Sequence, residues 1–116
     1  MKVILLVVVT ICLILVVIHS AGAKTGNEML SECRNAENPA NSTTATEYLN
    51  YSFWLGQING VLDTMLYYRM ICLPDRVTVG QNLSIVMKYL RDHPKELHKE
   101  ASYLIIQAFA EAFPCR

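Results

Sequence analysis

From the N-terminus, the apolar residues are arranged in two different ways. Val3 to Ile18 is apolar throughout except for Thr10, with Lys2 before it and Ala21-Gly22-Ala23 after it. Beyond Ala23 the apolar positions recur at intervals of three and four, the period of a helix with one face in a core. Met29, Leu30 and Cys33 form a short apolar edge and predict a short helix between Lys24 and Cys33. Arg34 to Thr44 turns to Asn, Pro, Ser and Thr, with Pro39 inside, and reads as a loop. Thr44-Ala45-Thr46-Glu47 then fits a capping box, in which the Thr side chain accepts from the third helical N–H and the Glu side chain reaches back. It opens a second helix whose stripe of Tyr48, Tyr51, Leu55, Ile58, Leu62 and Met65 lasts to about Arg69.

Cys72-Leu73-Pro74-Asp75-Arg76 breaks that pattern, and Thr78-Val79-Gly80-Gln81 supplies another capping box for a third helix. Leu83, Val86, Met87 and Leu90 are its apolar stripe. His93-Pro94 ends it, because the residue before a proline is pushed out of the α region. Pro94 suits the first turn of a fourth helix, with Leu97, Ala101, Leu104, Ile105, Ala108 and Ala112 on one face, and Pro114 stops it. The expected fold is all-α, a small bundle of about four helices in which short connections make helices two to four antiparallel neighbours. Gly56 and Gly60 lie one turn apart in the second helix, where each costs up to about 1 kcal/mol relative to Ala. They predict a close helix approach, either from the same subunit or from a second copy.

The first segment reads as an export signal: a positive n-region, an apolar core and an A-x-A cleavage site. The division is residues 1–23 as signal peptide and 24–116 as one domain, with Lys24 first in the mature chain. The apolar run falls short of the roughly 20 residues needed to span a bilayer, so no stable membrane anchor is expected after cleavage. Ile11 precedes Cys12 where a lipobox needs a small residue, which leaves Cys12 as part of the signal. The whole chain is 53% hydrophobic, but 18 of the first 23 residues are apolar. Of the remaining 93, 43 are apolar, about 46%, as in an ordinary soluble domain. Nine Lys and Arg stand against ten Asp and Glu there, so no basic field exists to hold nucleic acid or an anionic membrane.

Export places the cysteines in an oxidising compartment. Cys33, Cys72 and Cys115 remain after cleavage and allow three single bridges. Cys72 and Cys115 each end a helical stretch beside a proline and are the favoured pair. Their bridge would close a loop of about 44 residues, for which the chain-entropy model gives about 4 kcal/mol. Cys33 would then be free, buried or paired with a second chain.

Candidate chemistry is sparse. No cysteine and histidine cluster forms a metal site, and His93 and His98, five apart, do not share a helix face. No phosphate loop, nucleophile elbow or HExxH motif occurs, so no cofactor is expected. Asp63, Asp75, Asp92 and Glu111 read as single solvated or capping carboxylates. Cys33 with His98 would be a nucleophile and base without an orienting third group. The sequons at Asn41, Asn50 and Asn82 read as chance, two of them lying in predicted helices. A small exported bundle without a catalytic constellation works by contact, and no enzyme activity is expected.

The residues also carry a resemblance. Phe53-Trp54-Leu55-Gly56-Gln57-Ile58-Asn59-Gly60-Val61-Leu62-Asp63, Cys72-Leu73-Pro74, Val77-Thr78-Val79-Gly80-Gln81, Tyr89-Leu90, His93-Pro94-Lys95-Glu96-Leu97-His98, Ala101 and Phe113-Pro114-Cys115 resemble the Rap/Tai family of type VI secretion immunity proteins. The resemblance implies a periplasmic, mostly helical and often dimeric protein that neutralises a peptidoglycan amidase injected by neighbouring or sister cells. One departure stands out: many relatives carry a further cysteine near the start of the long second helix, where this chain has Asn50, Tyr51 and Ser52. A pairing of Cys33 is therefore not carried over.

The mechanism this suggests is occlusion, a rigid loop filling the groove of the amidase. Asp92-His93-Pro94-Lys95, between helices three and four, is the best rigid protrusion, with Pro94 limiting the entropy lost on binding and Arg91, Glu96 and Lys99 forming the rim. The plainer alternative is a structural turn in which Asp92 and His93 cap the following helix. At the level of function, the alternative is a small periplasmic helical chaperone of the acid-stress type, for which only three histidines are available to titrate.

Overall fold

The computed structural model describes the backbone of residues 1–18, 22–34 and 44–116, and the side chains of all of these but 15–18. Among the described residues the chain forms five α-helices and no strand: α1 (Lys2–Ile18), α2 (Gly26–Glu32), α3 (Ala45–Tyr67), α4 (Val79–Asp92) and α5 (Ala101–Ala112). A single 3-10 turn occupies Pro94–Glu96. The loop expected from Arg34 to Thr44, with Pro39 and the sequon at Asn41, lies outside the described residues except at its ends. In α1 the side chains from Val3 to Ile14 are exposed, and no helix among the described residues is long and apolar enough to cross a membrane.

Three helices begin on the same chemistry. Thr25, Thr44 and Thr78 each accept from the backbone N–H three residues on, and Glu28, Glu47 and Gln81 each return a side-chain oxygen to the cap residue's N–H. The box at Thr44 and the one at Thr78 stand where the sequence places them. The box at Thr25, a further Thr-x-x-Glu signal, starts α2 in the same way.

The core is one cluster to which every helix after α1 contributes. Trp54, Ile58, Leu62 and Met65 come from α3, Leu83, Val86, Met87 and Leu90 from α4, and Ala101, Leu104, Ile105, Ala108 and Phe109 from α5. Met29 and Cys33 close it from α2 and its C-cap. The expected stripe of α3 is shifted: Tyr48 is 64% exposed, whereas Trp54 is completely buried. An indole is buried without penalty when its N–H finds an acceptor, and Trp54 Nε1 donates to Glu32 Oε2 at 2.8 Å. Similarly, Phe109 fills the place expected for Ala112, which is exposed.

The bridge joins Cys72 and Cys115, with an S–S distance of 1.98 Å and Cα atoms 4.9 Å apart. Cys72 N–H also donates to the Phe113 carbonyl at 3.0 Å, so the α3–α4 connection and the end of the chain are fastened together. α3 ends in a Schellman arrangement, in which Met70 N–H bonds the Met65 carbonyl at 2.8 Å and Arg69 N–H the Leu66 carbonyl at 3.0 Å. Arg69 supplies the left-handed residue this geometry needs, at φ 55°.

Two expectations are corrected. The last helix does not begin at Pro94: the chain makes one tight 3-10 turn there and α5 starts only at Ala101, so Leu97 enters the core from the connection. Nor, among the described residues, does a helix of the same subunit close on the α3 glycines, since a Cβ at Gly56 or Gly60 would meet none of them within 4 Å. The sequon Asn82 is buried in the first turn of α4, which closes it to a glycan.

Candidate functional site

The residues expected to face a partner converge on the connection between α4 and α5. Arg91 and Asp92 end α4, His93 is its C-cap, Pro94, Lys95 and Glu96 form the 3-10 turn, and Lys99 lies just before α5. Arg91, Asp92, Pro94 and Lys95 are exposed; His93, Glu96 and Lys99 are half-buried.

The half-buried members hold the turn in shape. The Tyr89 carbonyl accepts from both the backbone N–H of His93 at 3.0 Å and its Nδ1 at 2.9 Å. The imidazole lies stacked on the Tyr89 ring, 4.0 Å between centroids. Glu96 N–H donates back to the His93 carbonyl at 3.0 Å, and Lys99 N–H to the Glu96 carbonyl at 2.9 Å. The Lys99 ammonium sits 3.3 Å from the Glu96 carboxylate and 5.1 Å from the centroid of Tyr103. Asp92 turns backward along α4 to pair with Lys88, and that hydrogen bond holds its carboxyl below the usual range. Neither Asp92 nor His93 caps the helix that follows: Glu100 is the N-cap of α5, and no side chain caps it.

The second half of this connection is gripped by Lys24 and the first turn of α2. Ala101 N–H donates to the Lys24 carbonyl at 2.8 Å, Gly26 N–H to the Lys99 carbonyl at 3.0 Å and Asn27 N–H to the Leu97 carbonyl at 2.9 Å. Thr25 and Glu100 pair as an isolated antiparallel bridge. Gly26 is buried here, and a Cβ on it would lie 2.4 Å from Leu104 Cδ1 and 3.2 Å from the Leu97 backbone. The Lys24 ammonium reaches both oxygens of Glu32, at 2.7 and 2.8 Å, and stands 5.2 Å from the Phe53 ring centroid and 5.6 Å from that of Trp54. Lys24, Gly26, Glu32 and Trp54 were not singled out by the sequence pattern. The nearest local signal is the Thr25-x-x-Glu28 box, which marks the start of α2 but not what it packs against.

Cys33 is free and buried. Burial foremost, and then the Glu32 charge, pushes its thiol up to about 12, which keeps it protonated and unreactive at neutral pH. Among the described residues no three His, Cys, Asp or Glu side chains gather as metal ligands would. What the α4–α5 connection offers is a shaped polar surface with a fixed backbone, suited to contact.

A family model described as Rap1a immunity proteins matches residues 25–115. No match is found among curated proteins or among solved structures. The matched span runs from the cap of α2 to the second bridged cysteine and takes in the braced connection, and the chain belongs to the Rap1a immunity protein family.

Proposed function

We propose that this chain is an exported immunity protein that acts in the periplasm, where it binds and occludes a peptidoglycan amidase delivered by type VI secretion and so protects its producer's cell wall. The family match over residues 25–115 carries this reading. The apolar segment ahead of Ala21-Gly22-Ala23 supports export, with cleavage after Ala23. The turn at Asp92–Glu96 supports occlusion: its backbone is already set by internal bonds, so little order remains to be acquired on entering a groove. Lys95, exposed at the turn, is the contact residue, with Pro94 beside it and Arg91 and Asp92 at the rim.

The working unit in this reading is a homodimer built on α3. Leu49, Phe53, Gly56, Gly60 and Tyr67 fall on one line along that helix, all exposed, on the face opposite Trp54, Ile58 and Leu62. A second apolar face with open glycines suits a self-complementary contact about a two-fold axis.

The test is affinity and inhibition with a purified type VI peptidoglycan amidase from the same producer. Replacing His93 by Ala together with Lys95 by Glu is expected to weaken binding at least tenfold. Unchanged affinity would move the contact surface away from this turn, and a wild-type protein that inhibits no such amidase would sink the function itself.

A further inference from the structure

We propose that the segment Lys24–Asn27 is the positioning element of the α4–α5 connection, so that the first residues of the processed chain set the shape of the surface presented to the effector. This rests on the immunity reading for its consequence, but not for its geometry.

The argument starts from what the connection lacks. Helix α5 has no capping side chain, and the N–H of its first residue, Ala101, is satisfied by the carbonyl of Lys24, far away in sequence. A buried N–H left without an acceptor is costly, so the start of α5 depends on that carbonyl. Toward its N-terminal side the connection is held by Tyr89 and by its own turn. Toward its C-terminal side, Leu97, Lys99 and Ala101 each bond to the N-terminal segment, one residue in two, as along a strand edge. Gly26 lets the two backbones approach this closely, since any Cβ would collide with Leu104 and press on Leu97.

The segment is itself pinned. Lys24 ends in the Glu32 carboxylate, and the same carboxylate accepts from the indole of Trp54, whose ring is fully buried in α3. A chain of contacts therefore runs from the core through Glu32 and Lys24 to the loop backbone. Lys24 and Glu32 are partly shielded from water, at 37% and 23% side-chain exposure, so their pairing is screened less than a surface ion pair. Cleavage after Ala23 leaves Lys24 in place, whereas a cut one residue later removes its carbonyl and its ammonium together.

The test uses the protein recovered after export, with Lys24→Met, Glu32→Gln and the conservative Lys24→Arg. Amide hydrogen exchange is read at Gly26, Asn27 and Ala101, the three N–H groups that bond across between the segment and the connection, with Val86 to Leu90 of α4 as the internal reference. The expected result is at least tenfold faster exchange at these three amides in Lys24→Met and Glu32→Gln, little change in α4, and recovery in Lys24→Arg. Exchange that stays at the wild-type rate, or that rises equally in α4, overturns the positioning role. Amidase affinity is measured alongside and is expected to fall in step with the rise in exchange. Faster exchange with unchanged affinity would keep the positioning role and count against the loop as the binding surface, and a wild-type protein without amidase binding counts against the immunity reading alone.

Discussion

Cys33 joins the chemistry of one side chain to the stability of the whole chain. Its side chain is 0% accessible, and its thiol is pushed from 9.0 to about 12. Three pH units correspond to about a thousandfold less thiolate at any pH below the unfolded value. Under native conditions at pH 8 it is therefore expected to resist a thiol reagent that modifies it fully in denaturant. The linkage has a definite sign. The folded thiol holds its proton above the pH at which the unfolded one loses it, so its contribution is complete below pH 9 and is lost as pH rises toward 12. In urea melts, Cys33→Ala should cost stability at pH 7 through lost packing. Between pH 9 and 11 it should lose less per pH unit than wild type, by up to about 1.4 kcal/mol. Equal slopes would mean that the thiol is not buried as described. Arg69 is the second informative residue, because it holds a left-handed conformation that glycine adopts freely. Arg69→Gly is expected to raise stability by about 0.5–1 kcal/mol, read as a higher denaturation midpoint at unchanged m-value.

Among the elements, local chemistry decided what the sequence could reveal. The starts of α3 and α4 were legible because Thr44 with Glu47 and Thr78 with Gln81 carry the whole signal within four residues. Thr78→Ala should therefore cost about 1 kcal/mol in thermal or urea unfolding, and a Gln81→Ala change on top of it less than the two separately. The start of α5 was not legible, because its N-cap Glu100 makes no side-chain cap and the acceptor for the Ala101 N–H is the distant carbonyl of Lys24. Pro94 gave a misleading cue: its fixed φ suits the first turn of either an α-helix or a 3-10 turn, and the tie from Leu97 to Asn27 selects the second. Trp54 was missed for a related reason, since the acceptor that permits its burial lies 22 residues earlier. The turn after α4 is announced by His93-Pro94, but the connection runs on to Glu100, and the half of its bracing that comes from Lys24 to Asn27 is invisible until the fold brings the two together.

At the scale of the molecule, α3 serves two surfaces at once. The core takes one face, and the other lies open with Leu49, Phe53 and Tyr67 exposed around two glycines whose missing side chains would touch nothing. In the dimer proposed above, a substitution there would act on association without disturbing the fold. Gly60→Glu should keep or slightly raise monomer stability, through better helix propensity, while shifting sedimentation from dimer to monomer. A dimer that survives this change would place the contact on another face. The bridge between Cys72 and Cys115 encloses α4, the His93–Glu100 connection and α5 in one covalent ring. A protease that nicks the exposed turn at Lys95 therefore opens the ring without freeing either piece, and the severed ends stay on the same folded body.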